Sequence, residues 1–498
     1  MNNVFSIIKP FLLPFLIAVY PSLFHYANNV KIVRINSLGR MIVFNSIIAV
    51  VVYLTIFVLN NKKAPNSALS AFVFLVFFNT YGVLFNAILQ HWGNLRHIYS
   101  LPIYFLIGTI ITYFVTKINN KFSKKLNNNL ITVFIILSII NIIRFIPVEI
   151  RKIGWQSTTA HLTTNEVSNN HHYPDIYYLV FDEFAGFEAM RQYWNHTGID
   201  DFVDELSNQG FFVAEESYTT GRTGDTLHQM AMRLNFKIYP HEIDYRDIHF
   251  QAIKDNRVMA YLKQKGYTTI TFDDVRGPFG YETKEPIHAK INFEDDPEIS
   301  RVNYLFDEFG SLVVDNTMLL AASRYYKAHN PALIRHKNMI HFTTNKLGEL
   351  SGNGPIFVYV HLLFPHTPFM FDEHGNIIDQ EFHQDWNYYF GNYMYSVNIM
   401  QEMLANIFSR YEPENPPVII LQSDHGARIH VNPSENFHDY PGEFAALILN
   451  AVYLPQCENA PITHTMDPIN TFPIIFNCLF DDNLPILDVT IDSFPIHQ

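Results

Sequence analysis

The chain has 498 residues, is 48% hydrophobic and 15% aromatic, and carries a formal net charge of −13. The first 150 positions hold twelve Lys or Arg, the single acid Glu149 and no Asp, a net of +11, so residues 151–498 carry −24. An acidic second part argues against nucleic acid as a partner, and a first part with a single acid lacks the solvent-facing carboxylates of a soluble helical domain.

Apolar runs fall near 5–26, 41–59, 69–89, 100–116 and 130–148, each close to the roughly 17–25 residues that cross a bilayer as a helix. Five membrane helices are expected in a domain covering 1–150. The first run reads as a span and not as a cleaved signal peptide, because four more spans follow and no small-residue cleavage site succeeds it. Lys9, Lys62, Lys63, Lys117, Lys121, Lys124 and Lys125 fall on one side of the bilayer, and Lys31, Arg34, Arg40, Arg96, Arg151 and Lys152 on the other. Positive-inside counting, seven against six with the fourth loop densest, puts the amino terminus in the cytoplasm. An odd number of spans then puts the acidic part outside. The spans hold almost no intramembrane acid of the kind that translocation pathways use, so anchoring is expected and a transporter is disfavoured.

Residues 151–172, with Ser157-Thr158-Thr159 and Asn169-Asn170, read as a polar linker, and 173–498 as one large domain. Strand signals run from Asp175 to Phe181, ending on Asp182, and from Gly266 to Phe272, ending on Asp273 and Asp274. Others run from Pro355 to Leu363, from Val418 to Leu421, and from Phe444 to Leu454, with a clear helical pattern over about 388–408. Strands alternating with helices predict an α/β domain with a mostly parallel sheet between helices.

Open α/β sheets place chemistry at the carboxyl ends of their strands. The buried run from Pro417 to Gln422 stops on Ser423-Asp424-His425-Gly426, an acid and an imidazole of the kind a divalent transition metal prefers, and otherwise an ordinary polar turn. Asp182 ends another strand, and His366 follows a third in Phe364-Pro365-His366-Thr367-Pro368-Phe369. In Thr223-Gly224-Asp225-Thr226, with Leu227, Met230, Ala231 and Leu234 at helical spacing, Thr226 falls in a first turn that Asp225 or Thr223 caps. A hydroxyl there either caps or, helped by first-turn amides, attacks a bound phosphoryl group. Cys457 and Cys478 are the only cysteines; a disulfide and a buried thiol both fit their surroundings, and neither lies in the short motif that enzymes with a modified cysteine require.

In this order, Tyr178-Leu179-Val180-Phe181-Asp182-Glu183-Phe184, Thr226 opening a helix that ends in Leu234-Asn235, Pro365-His366 and Ser423-Asp424-His425-Gly426 resemble the alkaline phosphatase and sulfatase superfamily. The likeness is nearest to its bacterial membrane-anchored branch, which contains lipoteichoic acid synthase and the lipid A phosphoethanolamine transferases. The resemblance implies an alkaline phosphatase-like catalytic domain outside the inner (cytoplasmic) membrane, acting on a lipid or cell-envelope polymer. It implies zinc or manganese held by Asp182, Thr226, Asp424 and His425, with one site and room for a second metal, and Thr226 as covalent nucleophile. His366 matches the family's substrate-side histidine. His438 shares that role in competition with His430 and His361, and Arg428 and Arg222 are candidate phosphate contacts. Two departures stand out: a long segment between Tyr218 and Thr226 leaves Thr223 as a rival nucleophile, and Glu183 stands where glycine is commoner, leaving open which acid faces the metal. The expected activity is that of a metal-dependent phosphotransferase or phosphodiesterase, with a sulfuric ester hydrolase and an inactive envelope scaffold as alternatives.

Overall fold

The computed structural model describes residues 2–154 apart from 32, 34, 62 and 93–95, together with 173–220, 224–239, 246–272, 289–291, 308–329, 332–378 apart from 353 and 368, 388–428, and 445–489 apart from 458. The chain divides into two compact units, Met1–Gln156 with Asn303–Asn330, and Ser157–Val302 with Pro331–Gln498.

The first unit contains α1 (Asn2–Asn29), α2 (Ile35–Leu59), α3 (Ala64–Trp92), α4 (His97–Thr116) and α5 (Asn120–Gly154). Each includes a stretch long and apolar enough to cross a membrane. Their packing inverts that of a soluble bundle. On α2, Leu38, Met41, Asn45, Ala49 and Tyr53 are buried, while Val43, Ile47, Val51, Leu54 and Val58 face outward. Lipid takes the large apolar side chains, and small or polar ones mediate helix contact. Asn45 accordingly donates to Ser22 at 2.9 Å in the buried interior. Glu149, the one acid of the first 150 residues, accepts from Tyr26 at 2.7 Å and pairs with Lys152 at 3.0 Å.

Residues 303–330 group with these helices although they lie inside the range expected for the catalytic domain. The cause is an apolar face: Phe309, Val313 and Val314 are buried with Tyr26, Leu38 and Phe145, and Met318 and Leu320 with Tyr81 and Phe85. The turn after helix Glu308–Asp315 also enters the main chain of α3. Phe78 O accepts from Met318 N at 2.8 Å, and Gly82 N donates to Asn316 O at 2.9 Å. A carbonyl and an amide that would otherwise bond each other within α3 are satisfied by another segment, as burial in protein allows at membrane depth.

The second unit holds a seven-stranded sheet, β1 (Ile176–Phe181), β2 (Phe212–Val213), β3 (Thr268–Phe272), β4 (Ala289–Ile291), β5 (Ile356–Leu362), β6 (Val418–Ser423) and β7 (Asn450–Tyr453), in the order β2-β7-β6-β1-β5-β3-β4. From β6 to β4 every neighbour is parallel; β7 is antiparallel to both β6 and β2. The mostly parallel sheet is therefore as expected, while the fifth expected strand is shorter and reversed. Its approach is taken up by bridges of Leu447 to Tyr218 and Ile448 to Ala185. β1, β5 and β6 are buried along their whole length, which is why they read as continuous apolar runs. One face packs on helix Tyr389–Phe408, the other on helices Thr226–Asn235 and Thr471–Phe480. Cys457 and Cys478 are joined as a disulfide with Cα atoms 6.3 Å apart, which decides between the two readings of those cysteines.

A Cβ on Gly82 would lie 1.9 Å from Asp315 O, whereas one on Gly39 of α2 would meet nothing within 4 Å. Gly82→Ala is therefore expected to lower the melting temperature of the detergent-solubilised full chain, at a cost of about 1–3 kcal/mol, and Gly39→Ala to leave it unchanged. Equal melting temperatures would mean that the 315–318 turn is not seated in α3.

Candidate active site

Strand register assembles the site. Phe181 is level with Ser423 of β6 and Leu362 of β5, and Val180 with Gln422 and His361. Side chains alternate faces along a strand, so His361, one row below the strand ends, and Asp182 and Asp424, one row beyond it, all project from the face that carries helix Thr226–Asn235. One ligand atom from each of Asp182, His361 and Asp424 lies within 4.8 Å of the others. His425 Nε2 lies 3.5 Å from both Asp182 Oδ1 and Asp424 Oδ2. His425 Nδ1 donates to Gly426 O at 2.7 Å, which turns Nε2 toward the carboxylates.

Helix Thr226–Asn235 opens with Asp225 as cap, its carboxylate accepting from His228 N at 3.1 Å. Thr226 is thereby the first helical residue. Its hydroxyl turns toward the Asp424 carboxylate and favours its charged form. Asp424 Oδ1 also accepts from the amides of Glu183 (3.0 Å) and His425 (2.8 Å).

Burial works to raise the pKa of Asp424, but His425, His361 and the Thr226 hydroxyl outweigh it and hold the carboxyl below its ordinary range. Asp182 moves the other way: burial first, then the charges of Asp424 and Glu183, push it well above the ordinary carboxylate value. Burial lowers His361 to about 4, so this imidazole is neutral near pH 7.

Glu183 does not join this group. It adopts φ +63°, a left-handed conformation that explains why glycine suits the position. The turn sends its buried carboxylate to Arg428, whose backbone N, Nε and Nη2 donate at 2.9, 3.3 and 3.1 Å. Arg428 also contacts His366 Nε2, which lies 3.7 Å from Glu183 Oε2. A Cβ on Gly224 would lie 3.3 Å from Arg428 Cδ, so the arginine stem runs beside the turn leading into Thr226. His366, Arg428 and Glu183 thus form a second polar group, and burial lowers the His366 pKa with help from Arg428 and against the pull of Glu183. His438, His430, Arg222 and Thr223 lie outside the described residues.

Arg233 was not anticipated from the sequence. It is almost fully buried, and its two terminal nitrogens donate to Ser423 O and Asp424 O, each at 2.6 Å. It lies seven residues after Thr226 on the same helix, so one element carries the hydroxyl at its first turn and, two turns on, the group that grips the loop bearing Asp424. Nothing in local sequence reveals this, because a helical arginine ordinarily reads as a solvated face. Below the site, Gln422 donates to Asn450 and Thr471 at 2.9 and 2.8 Å and accepts from Tyr178 at 3.0 Å, which satisfies the polar residue inside an otherwise apolar strand.

A family model described as Sulfatase matches residues 168–448, more than half of the chain. The chain belongs to the Sulfatase family. The matched span contains Asp182, Thr226, His366, Asp424 and His425. No curated protein matches the chain. Solved structures similar to this Sulfatase-family chain include the C-terminal periplasmic domain of EptC from Escherichia coli, 14% identical, covering 64% of this chain and 85% of that one with TM-score 0.39. Lipooligosaccharide phosphoethanolamine transferase A from Neisseria meningitidis is 13% identical over 89% of this chain and 88% of that one, TM-score 0.38. The lipoteichoic acid synthase LtaP from Listeria monocytogenes is 15% identical over 63% and 75%, TM-score 0.38.

The donor set gathered at these strand ends fits a divalent cation. Asp182 Oδ1, Asp424 Oδ2 and His425 Nε2 are buried and make no regular hydrogen bond among the described residues, although buried polar atoms of native proteins are almost always paired. Two carboxylate oxygens and an imidazole nitrogen are ligands that zinc and manganese accept.

The folded value of Asp182 lies above the ordinary 3.8, so the folded protein keeps a proton that the unfolded chain releases, and stability falls as pH rises from 3.8 through the folded value. His361 acts in the opposite sense, its contribution being present above 6.5 and lost as pH falls toward about 4. Asp182→Asn is thus expected to raise the melting temperature of the chelator-treated protein at pH 7 and to abolish any rise on adding zinc or manganese; a lowered melting temperature in chelator would contradict a costly buried carboxylate. Arg233→Met should weaken metal binding about 10–100-fold, the range for partners that orient a ligand, and unchanged affinity in a folded variant would remove Arg233 from that role.

Proposed function

We propose that this chain is a membrane-anchored, metal-dependent phosphotransferase or phosphodiesterase with Thr226 as nucleophile, acting on a lipid or cell-envelope substrate. The observation that carries the reading is the Thr226 hydroxyl, held at a helix start and turned toward Asp424 beside two further buried donors, Asp182 and His425. Asp182, Asp424, His425 and Thr226 are the residues that would hold zinc or manganese, with His361 as a further donor of the same group. When bound, such an ion acts as a Lewis acid that lowers the hydroxyl pKa and offsets charge on the group being transferred.

The chain's own residues supply the rest. Thr226 Oγ1 attacks the phosphorus of a phosphodiester; the bond to the first alcohol breaks, and that alcohol leaves with the threonine proton. The phosphoryl group then stays on Thr226 until a second alcohol or water takes it. First-turn amides favour the anion. Arg428, held by Glu183 and with His366 against it, carries the positive charge that suits phosphoryl oxygens. The disulfide accords with a catalytic unit in an oxidising compartment, hence outside the bacterial inner membrane. It also leaves neither cysteine free for the modification a sulfuric ester hydrolase of the cysteine-dependent type needs.

The full chain in detergent is the material to test, because residues 303–330 group with the membrane helices. Cleavage of a chromogenic phosphodiester should require added metal, vanish in Thr226→Ala and exceed cleavage of the matching sulfate ester. Preference for the sulfate ester, or full activity of Thr226→Ala, would reject the proposal.

A further inference from the structure

Helix Leu320–His329 belongs to the second half of the sequence but lies in the membrane unit. Two features fix it there. The Asp315–Met318 turn is bonded into α3 through Phe78 and Gly82, and Met318 and Leu320 pack on Tyr81 and Phe85. Arg324 is thereby carried to one place. Its Nη2 donates to Asn86 Oδ1 at 2.9 Å, its Nη1 approaches His97 Nε2 at 3.4 Å, and its guanidinium lies over the Phe85 ring at 5.5 Å. His97 stacks on the same ring at 3.8 Å and is held through Nδ1 by Tyr81 OH at 2.9 Å.

The depth of this group says what it meets. Asn86 lies in the last turn of the membrane-length stretch Ala64–Ile88, and His97 opens the stretch His97–Thr116. Both therefore stand at one mouth of the bundle, where hydrocarbon gives way to head groups. Among the described residues no carboxylate pairs with Arg324, so a guanidinium oriented by neutral partners faces a layer whose anions are lipid phosphates. Arginine's planar fork matches phosphate oxygens bidentately, and the outward apolar side chains of α3 and α4, such as Val83, Leu84 and Ile98, supply a surface for acyl chains. We propose that Arg324, with Asn86 and His97, binds the phosphate of a membrane phospholipid, so that a segment returning from the second half of the chain completes a lipid site in the membrane unit. The site is independent of the chemistry proposed for Thr226.

Native mass spectrometry of the full chain in detergent tests this with phosphatidylglycerol against diacylglycerol of the same acyl chains. Wild type should retain phosphatidylglycerol preferentially, Arg324→Gln should lose about tenfold in affinity, a difference of about 1.4 kcal/mol, and Arg324→Lys should lose less. Asn86→Ala, which leaves the charge in place, should also weaken retention and serves if Arg324→Gln does not fold. Equal retention by wild type and the folded variants, or no preference over diacylglycerol, would overturn the proposal. Displacement of the lipid by glycerophosphate at equal concentration would also overturn it, by making this a free-phosphate site.

Discussion

The parallel pairing of β1 with β5 on one side and β6 on the other is the constraint on which the site depends. Phe181, Leu362 and Ser423 share one level, so the residues that follow β1 and β6 leave the sheet together. With a side-chain period of two, a slip of one residue in either strand would turn Asp182 or Asp424 to the opposite face. That face carries helix Tyr389–Phe408 and not Thr226. The register is in turn fixed by burial on both faces, since every residue of the three strands is covered.

Charge placement at the strand ends runs against stability. Asp182 and Asp424 stand together out of water, and Arg233 brings a buried cation with carbonyl oxygens for partners. Burial of ionised groups is unfavourable unless something compensates. Here the compensation is local for Arg233 and Asp424, through carbonyls, amides and the Thr226 hydroxyl, and incomplete for Asp182. A site that a cation would complete has this character, and the fold tolerates it because the surrounding strands and helices are densely apolar.

The membrane unit shows the same economy of main-chain hydrogen bonds under a different solvent. In hydrocarbon an unsatisfied amide or carbonyl costs several kcal/mol, so the opening in α3 at Phe78 and Gly82 requires a substitute partner, and Asn316 and Met318 provide it. Glycine at 82 is the residue that lets the second backbone come so near.

Much of this was legible in the sequence. Five apolar runs without acids specify membrane-length helices, because a bilayer sets both their length and their charge. Continuous Val, Ile, Leu and aromatic runs specify strands buried on both faces. Asp182, Thr226 and the Asp424-His425 pair stood out because each sits where an element ends, which local pattern reveals. What only the tertiary structure decided depends on contacts between residues far apart in sequence. The register brought His361 into the acid group; the positive φ of Glu183 turned it to Arg428 and His366; Arg233 reached across 190 residues to Ser423 O. Residues 303–330 joined the helical unit because their apolar face found partners there. A one-dimensional pattern records what a residue prefers to be near, and only packing settles which of many equivalent neighbours it meets.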